Sequence, residues 1–174
     1  MKSTRSSPRE RLIGSKVPSV RIVPEYVQTD GEDAVKILAA GKLFVDPWQN
    51  DVLCDWMGRT EEGVWSAPTC GLSVPRQNGK TLDTSGRIAS GMIMYAEWVI
   101  YTAHLQETDR EASMEIKGLF ESRGLRKHVK EIKAALGREQ IILNNGGRVV
   151  FVARTRNGGR GLHGDCLVFD EAQE

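Results

Sequence analysis

The sequence predicts an α/β fold with a mainly parallel sheet flanked by helices, and three observations carry that expectation. A short apolar run, Cys70-Gly71-Leu72-Ser73-Val74, leads through Pro75-Arg76-Gln77-Asn78-Gly79-Lys80-Thr81 into a segment of helical periodicity. A second apolar run, Cys166-Leu167-Val168-Phe169, ends in Asp170-Glu171. Between the two, strand-like and helix-like segments alternate, as in a sheet built from crossover connections.

Residues 1–21 carry Lys2, Arg5, Arg9, Arg11, Lys16 and Arg21 against the single acid Glu10, with frequent Ser and Pro. That composition predicts a flexible basic arm, as readily a solubilising tail as a nucleic-acid contact. Residues 22–66 read as a helical lead-in. The stretch from Glu32 to Ala40 has helical character and stops at Gly41. Asp46 then suits an N-cap and Pro47 a first helical position. Trp48, Val52 and Trp56, with Leu53, form one apolar stripe, whose default role is core packing. Gln49 on this helix carries an amide that donates to and accepts from an adenine edge at once; taken alone it reads as a surface residue.

Residues 67–174 read as the core, with a first strand from Ala67 leading into the loop around Gly79. Strand, tight loop and helix in that order are the context of a phosphate-binding loop. The first N–H groups of a helix have no intrahelical partner, and the helix dipole adds positive potential there. Gly79 lets backbone approach a phosphate, Lys80 supplies a cation for the β- and γ-phosphates, and the Thr81 hydroxyl suits Mg²⁺. The general pattern has glycine where Val74 stands, and Gly-Lys-Thr alone equally describes an ordinary turn with a solvated lysine.

The following helix is expected from Gly79 to about Glu97, with Leu82, Ile88, Ala89, Met92, Ile93 and Ala96 largely on one side. Gly86 and Gly91 lower its intrinsic helicity and suit close packing against the sheet. Trp98 to Ala103 is a β-branched and aromatic strand. His104 follows it, more readily a capping or solvated histidine than a sensor of phosphate or DNA. A helix is expected from about Glu107 to Glu121. Residues 123–134 place Arg123, Arg126, Lys127, His128, Lys130 and Lys133 on a further expected helix, ordinarily a solvated face and alternatively a DNA-backbone contact.

Two strands, Glu139 to Leu143 and Arg148 to Ala153, flank Asn144-Asn145-Gly146-Gly147, residues that tolerate the positive φ angles of a tight hairpin. The glycine- and arginine-rich residues 154–165 are too irregular for an element. Such a loop is either a surface loop or one that swings arginines toward a nucleotide, and its place before the acidic strand favours the second. Cys166 to Phe169 reads as a buried parallel strand. Two acids at its end are costly unless they hold a metal or activate water, or are simply solvated. In chain order with Gly79-Lys80-Thr81, Asp170 and Glu171 point to a nucleoside triphosphate hydrolase, with Asp170 supporting Mg²⁺ and Glu171 polarising the attacking water.

Composition sets the outer bounds. The 174 residues suffice for one core and not for two full domains. Hydrophobic residues at 40% and charged ones at 27% are those of a soluble globular chain, and a net charge of +1 names no partner. The longest apolar stretch, around Ile93 to Ala103, contains Glu97 and is too short to span a bilayer. The basic start is not followed by the apolar core of a signal peptide. Cys54, Cys70 and Cys166 are widely spaced in apolar segments and read as reduced core thiols of an intracellular protein.

From about Leu43 to Glu174 the chain resembles the N-terminal ATPase part of the large subunit of tailed-bacteriophage terminases, the DNA-packaging motors. The resemblance rests on Pro47-Trp48-Gln49, Arg76-Gln77-Asn78-Gly79-Lys80-Thr81, Tyr101-Thr102-Ala103-His104, Gly159-Arg160-Gly161 and Val168-Phe169-Asp170-Glu171-Ala172-Gln173-Glu174, in that order. A phosphate loop with Arg-Gln ahead of Gly-Lys-Thr departs from the general pattern in the same way as that family's. The resemblance implies a RecA-like P-loop ATPase that uses ATP and Mg²⁺ to drive double-stranded DNA through a portal protein into a procapsid. It also implies a homo-oligomeric ring, a small terminase subunit as partner, no membrane, and a place at the procapsid portal in the cytoplasm of an infected bacterial host.

Residue by residue, the resemblance makes Gln49 an adenine reader and Gln77, Asn78, Gly79, Lys80 and Thr81 nucleotide-binding. Thr81 and Asp170 become Mg²⁺ ligands or supports and Glu171 the water-activating acid. Arg76 would respond to the γ-phosphate, and Arg160 would reach a neighbouring subunit's site to stabilise charge on the transferred phosphoryl group. Members of that family continue past the acidic strand with further core strands, a coupling motif and a nuclease domain. The sheet is therefore expected to be incomplete on its C-terminal side, with unpaired edges, and the isolated chain to bind nucleotide weakly. A helicase-like nucleic-acid ATPase and a non-catalytic interaction fragment are the competing readings.

Overall fold

A computed structural model describes residues 17–75, 78–103, 106–135, 138–153, 163–170 and 172. The first 16 residues of the basic arm, together with Arg76, Gln77, His104, Arg160 and Glu171, lie outside the described residues.

Three helices precede the sheet or open onto it: α1 (Gly31–Ala40), α2 (Pro47–Trp56) and α3 (Lys80–Tyr95). A short antiparallel pair, β1 (Gln28–Thr29) with β2 (Gly58–Arg59), holds the ends of the first two together. α1 carries Glu32 and Asp33 in its first turn, where negative charge suits the helix dipole, and buries Ala34 and Leu38, four residues apart on one face. α2 starts as its sequence predicts, with an extended Asp46 in a capping box with Gln49 and Pro47 in the first turn. Its buried face differs from the expected stripe. Gln49 and Leu53 are inside while Trp48, Val52 and Trp56 are half-buried, because α2 turns its i, i+4 pair toward α3. Gly86 of α3 faces Leu38 and Leu53, so it serves helix packing rather than contact with the sheet.

The sheet has five strands in the order β4 (Val129–Ala135), β5 (Arg138–Leu143), β6 (Arg148–Ala153), β3 (Trp98–Ala103), β7 (Cys166–Phe169). It is mixed, not mainly parallel: β3 pairs in parallel with β6 and β7, and β4–β5 and β5–β6 are antiparallel. Short connections dictate the antiparallel half, since neighbouring strands joined by a few residues must reverse direction. The hairpin at Asn144–Gly147 is the predicted one. Gly146 has φ +96°, and the Leu143 N–H donates to the Gly147 carbonyl at 2.8 Å.

Alternate residues of the sheet, Val99 and Tyr101, Val149 and Phe151, Ile141 and Leu143, enter the main core with Ile88 and Met92 of α3. Ile116, Leu119 and Phe120 of α4 (Gln106–Glu121) join them. β3 is buried along both faces, from Val99 to Thr102. No described helix is long and apolar enough to cross a membrane.

Further expectations are corrected. Residues 67–75 form no strand, and Cys70, Gly71, Ser73 and Pro75 are exposed. The run is interrupted by Gly71 and bounded by Pro68 and Pro75, which lack donors, and no described strand pairs with it. Residues 123–134 are not a helix but a 3-10 turn, Arg126–His128, followed by edge strand β4. A register shift between Val129 and Glu131 breaks the period of two that would have marked the strand, and exposed Lys130 and Lys133 suit an edge. Finally, β7 is parallel as predicted but lies at the sheet edge, with Leu167 and Phe169 more than half exposed. The three cysteines are free, but none belongs to the fully buried core: Cys54 and Cys166 are half-buried and Cys70 is exposed.

Candidate functional site

Two places identified in the sequence come to the same end of the sheet. α3 has its last turn pinned at the start of the strands. Asn145 Nδ2 donates to the carbonyls of Met92 and Ile93, at 2.8 and 3.0 Å. The Glu97 N–H reaches the Gly91 carbonyl, and the Arg148 N–H the Glu97 carbonyl. From there the 16-residue helix runs back over β3 and β6 for about 24 Å. Its N-terminus therefore points to the carboxyl ends of the parallel strands. β6, β3 and β7 all finish at that end, at Ala153, Ala103 and Phe169. Ligand sites of open α/β sheets form at this end.

Gly79 opens α3 from the left-handed region, φ +79° and ψ 22°, a conformation costly for a residue with a Cβ. Lys80 and Thr81 are the first two helical residues and are half-buried. By helix geometry the Lys80 and Thr81 N–H groups have no intrahelical acceptor, whereas the Leu82 N–H donates to the Gly79 carbonyl at 3.0 Å. Asn78 braces the loop by donating from Nδ2 to the Pro75 carbonyl at 3.2 Å.

Gln49 sits directly behind this turn. It is 4% exposed, so the surface position expected of it in isolation is not what the fold provides. Its Oε1 accepts the Asp46 N–H at 2.8 Å and its Nε2 donates to the Gly79 carbonyl at 3.1 Å. The amide thereby ties the first turn of α2 to the first turn of α3.

At the end of β7, the Asp170 N–H donates to the Thr102 carbonyl at 2.9 Å, and the Tyr101 hydroxyl donates to Asp170 Oδ2 at 2.7 Å. Asp170 is thus a carboxylate held in one orientation at the rim of the sheet. Among the described residues no group of three His, Cys, Asp or Glu is arranged to hold a metal. One carboxylate and one hydroxyl nevertheless suit Mg²⁺, which keeps several waters and takes its other ligands from phosphate oxygens.

One residue of this site escaped the sequence reading. Asp83 of α3 is fully buried, and neither of its oxygens has a hydrogen-bond partner. Burial pushes its carboxyl up to about 7. A signal was present: Asp83, Gly86 and Ser90 recur at helical spacing on one face, and an acid among small residues there is out of place.

No protein-family model, curated protein or solved structure matches the chain.

Proposed function

We propose that the chain is the ATP-binding and hydrolysing motor domain of a terminase-like large subunit, one that drives double-stranded DNA into a procapsid. The observation that supports this best is the left-handed Gly79 opening a long helix whose first residues are Lys80 and Thr81, at the same sheet end as Asp170. In this reading the α3 N-terminus and Lys80 hold the triphosphate, and Thr81 and Asp170 hold Mg²⁺ directly or through its waters. The metal would neutralise charge on the phosphate oxygens. Glu171 orients the attacking water, and Arg76 and Arg160 complement the transferred phosphoryl group. RecA-like topology, portal, small subunit and ring assembly belong to the same proposal and rest on the resemblance of the motifs.

A second reading, a non-catalytic fragment, draws on one observation: residues 67–75, which lead into the loop, have no strand partner. Mg-ATP binding separates the two. A ligand at about a hundred times its dissociation constant stabilises a fold by roughly 2.7 kcal/mol. The expected result is a thermal shift in the parent that Lys80→Ala abolishes. A folded parent with no shift would overturn the ATPase reading and leave the fragment reading standing.

A further inference from the structure

At the other end of α3 from Gly79 lies an open groove of about 390 Å³. Ile93 and Met94 of the last turn of α3, Ile37 of α1 and Leu125 line it, and Lys36 and Lys127 stand at its rim. Ile37, Ile93 and Met94 are half-buried and leave apolar surface in the groove. The walls are fixed by packing and hydrogen bonds. A Cβ at Gly124 would overlap the Ala40 carbonyl, so the chain before Leu125 lies directly against the end of α1. Asn144 holds the 3-10 turn Arg126–His128: its Nδ2 donates to the Lys127 carbonyl at 3.0 Å and its N–H to the His128 carbonyl at 2.9 Å.

The charge beside this groove is one-sided. Residues 123–130 hold Arg123, Arg126, Lys127, His128 and Lys130 and no acid. Arg123, Arg126, Lys127 and Lys130 are exposed, and none forms an ion pair with another described residue. The flanking acids are already engaged, Glu121 by Lys117 at 3.7 Å and Glu131 by Lys133 at 3.5 Å. At the rim, Asp33 takes Lys36 at 2.7 Å. Helix carbonyls at this end have other donors: Asn145 serves Met92 and Ile93, and the Gly41 N–H serves Ile37.

Three kinds of ligand meet such a surface differently. A nucleic-acid backbone pairs with the cations and leaves the apolar floor wet. A wholly apolar segment covers the floor but desolvates the cations without pairing them. An acidic amphipathic helix does both, with apolar side chains in the groove and carboxylates against the basic rim. The longer stretches of this chain outside the described residues have the wrong charge. Residues 1–16 carry Lys2, Arg5, Arg9, Arg11 and Lys16 against Glu10, and residues 154–162 carry Arg154, Arg156 and Arg160 and no acid. We infer that the groove between α1, the end of α3 and the 3-10 turn is a docking surface for an acidic amphipathic helix of a partner protein. The cations steer the encounter, and the buried apolar side chains supply the larger part of the affinity. None of this depends on a nucleotide at Gly79.

The test uses the full chain without nucleotide. Its probe is a fluorescein-labelled synthetic helix with leucines on one face and glutamates on the other. Fluorescence anisotropy reads affinity, and the NMR signals of the Ile37, Ile93 and Met94 methyl groups read the place of binding. The expected result is saturable binding that weakens as salt rises and shifts those methyl signals. Lys36→Glu/Lys127→Glu, changed at two exposed positions, is expected to bind about tenfold more weakly. Met94→Ser is expected to bind about fivefold more weakly, each variant keeping the circular dichroism of the parent. No binding to the folded parent, or parent-like affinity in either variant, overturns the inference. Equal binding of the same helix with lysines in place of glutamates overturns it too. Duplex DNA that shifts the same methyl signals and displaces the helix would make the groove a nucleic-acid surface instead.

Discussion

The Tyr101 hydroxyl donates to Asp170 Oδ2 at 2.7 Å across the parallel pair β3–β7. Tyr101 is 1% exposed and its ring packs on Phe151, with centroids 5.5 Å apart. The donor is therefore fixed by the core, and it fixes the carboxylate at the rim in turn. A hydrogen bond to a charged acceptor contributes about 1.5–3 kcal/mol. Tyr101→Phe is expected to lose about that amount in urea denaturation at neutral pH and to raise the Mg²⁺ concentration needed for nucleotide binding. An unchanged urea midpoint would mean that the hydrogen bond contributes nothing to the fold.

Arg87 and Glu97 form a two-pronged ion pair, 2.7 and 3.0 Å, with side chains only 14% and 9% exposed. The pair joins the middle of α3 to the residue just before β3. Removing one partner of such a pair leaves an uncompensated buried charge and costs about 3–5 kcal/mol. Glu97→Gln and Arg87→Met are each expected to be strongly destabilised. The double variant Arg87→Met/Glu97→Leu should recover most of that loss, because neither charge then remains to be desolvated. Losses that simply add in a double-mutant cycle would show that the two groups are not coupled.

Much of this fold is legible in the chain because local chemistry and tertiary packing agree. Asp46-Pro47 starts α2 and Asn144-Asn145-Gly146-Gly147 turns the hairpin, each by rules that operate within four residues. The illegible parts need information from elsewhere in the molecule. The alternation of β4 is broken at its bulge and masked by lysines, so its charge pattern reads as a helix face. The apolar run before Gly79 has strand composition, but a strand also needs a partner edge, which one segment cannot report. At the site, Gly79, Lys80 and Asp170 stand out by motif. Asp83 is marked in the sequence only by its place among small residues on one helix face, and the cost of burying it is visible only in the fold, where it is fully buried.

Two glycines with the same helix propensity should respond in opposite ways to alanine. At Gly31 a Cβ would overlap the backbone of Leu53 and Cys54, where α1 crosses α2 at close range. Backbone cannot move aside cheaply, so Gly31→Ala is expected to cost about 1–3 kcal/mol. At Gly118, on the exposed side of α4, a Cβ would meet nothing within 4 Å. Gly118→Ala should therefore stabilise by about 0.5–1 kcal/mol through the unfolded chain and helix propensity. Thermal unfolding of the two variants checks the sign of each, and a shift in the same direction for both would refute the close-packed α1–α2 crossing.

The pH dependence of stability carries the signature of Asp83. Its carboxyl is pushed up to about 7 in the folded protein, against about 3.9 in an unfolded chain. Between these values the folded state holds a proton that the unfolded state has released. By linkage, that makes stability fall as pH rises through this window. The contribution is fully present below the unfolded value and gone once the pH has passed the folded one. Asp83→Asn has no such proton to lose. The difference in unfolding free energy between variant and parent should therefore be smallest near pH 4 and grow in favour of Asp83→Asn up to about pH 7, then level off. Taking the difference removes the opposite slope of Asp30, whose carboxyl is half-buried yet held below its ordinary value by Tyr95 and Arg59. Urea unfolding across the range gives the comparison, and a difference that stays constant with pH would mean that Asp83 ionises as freely in the folded protein as in the unfolded one.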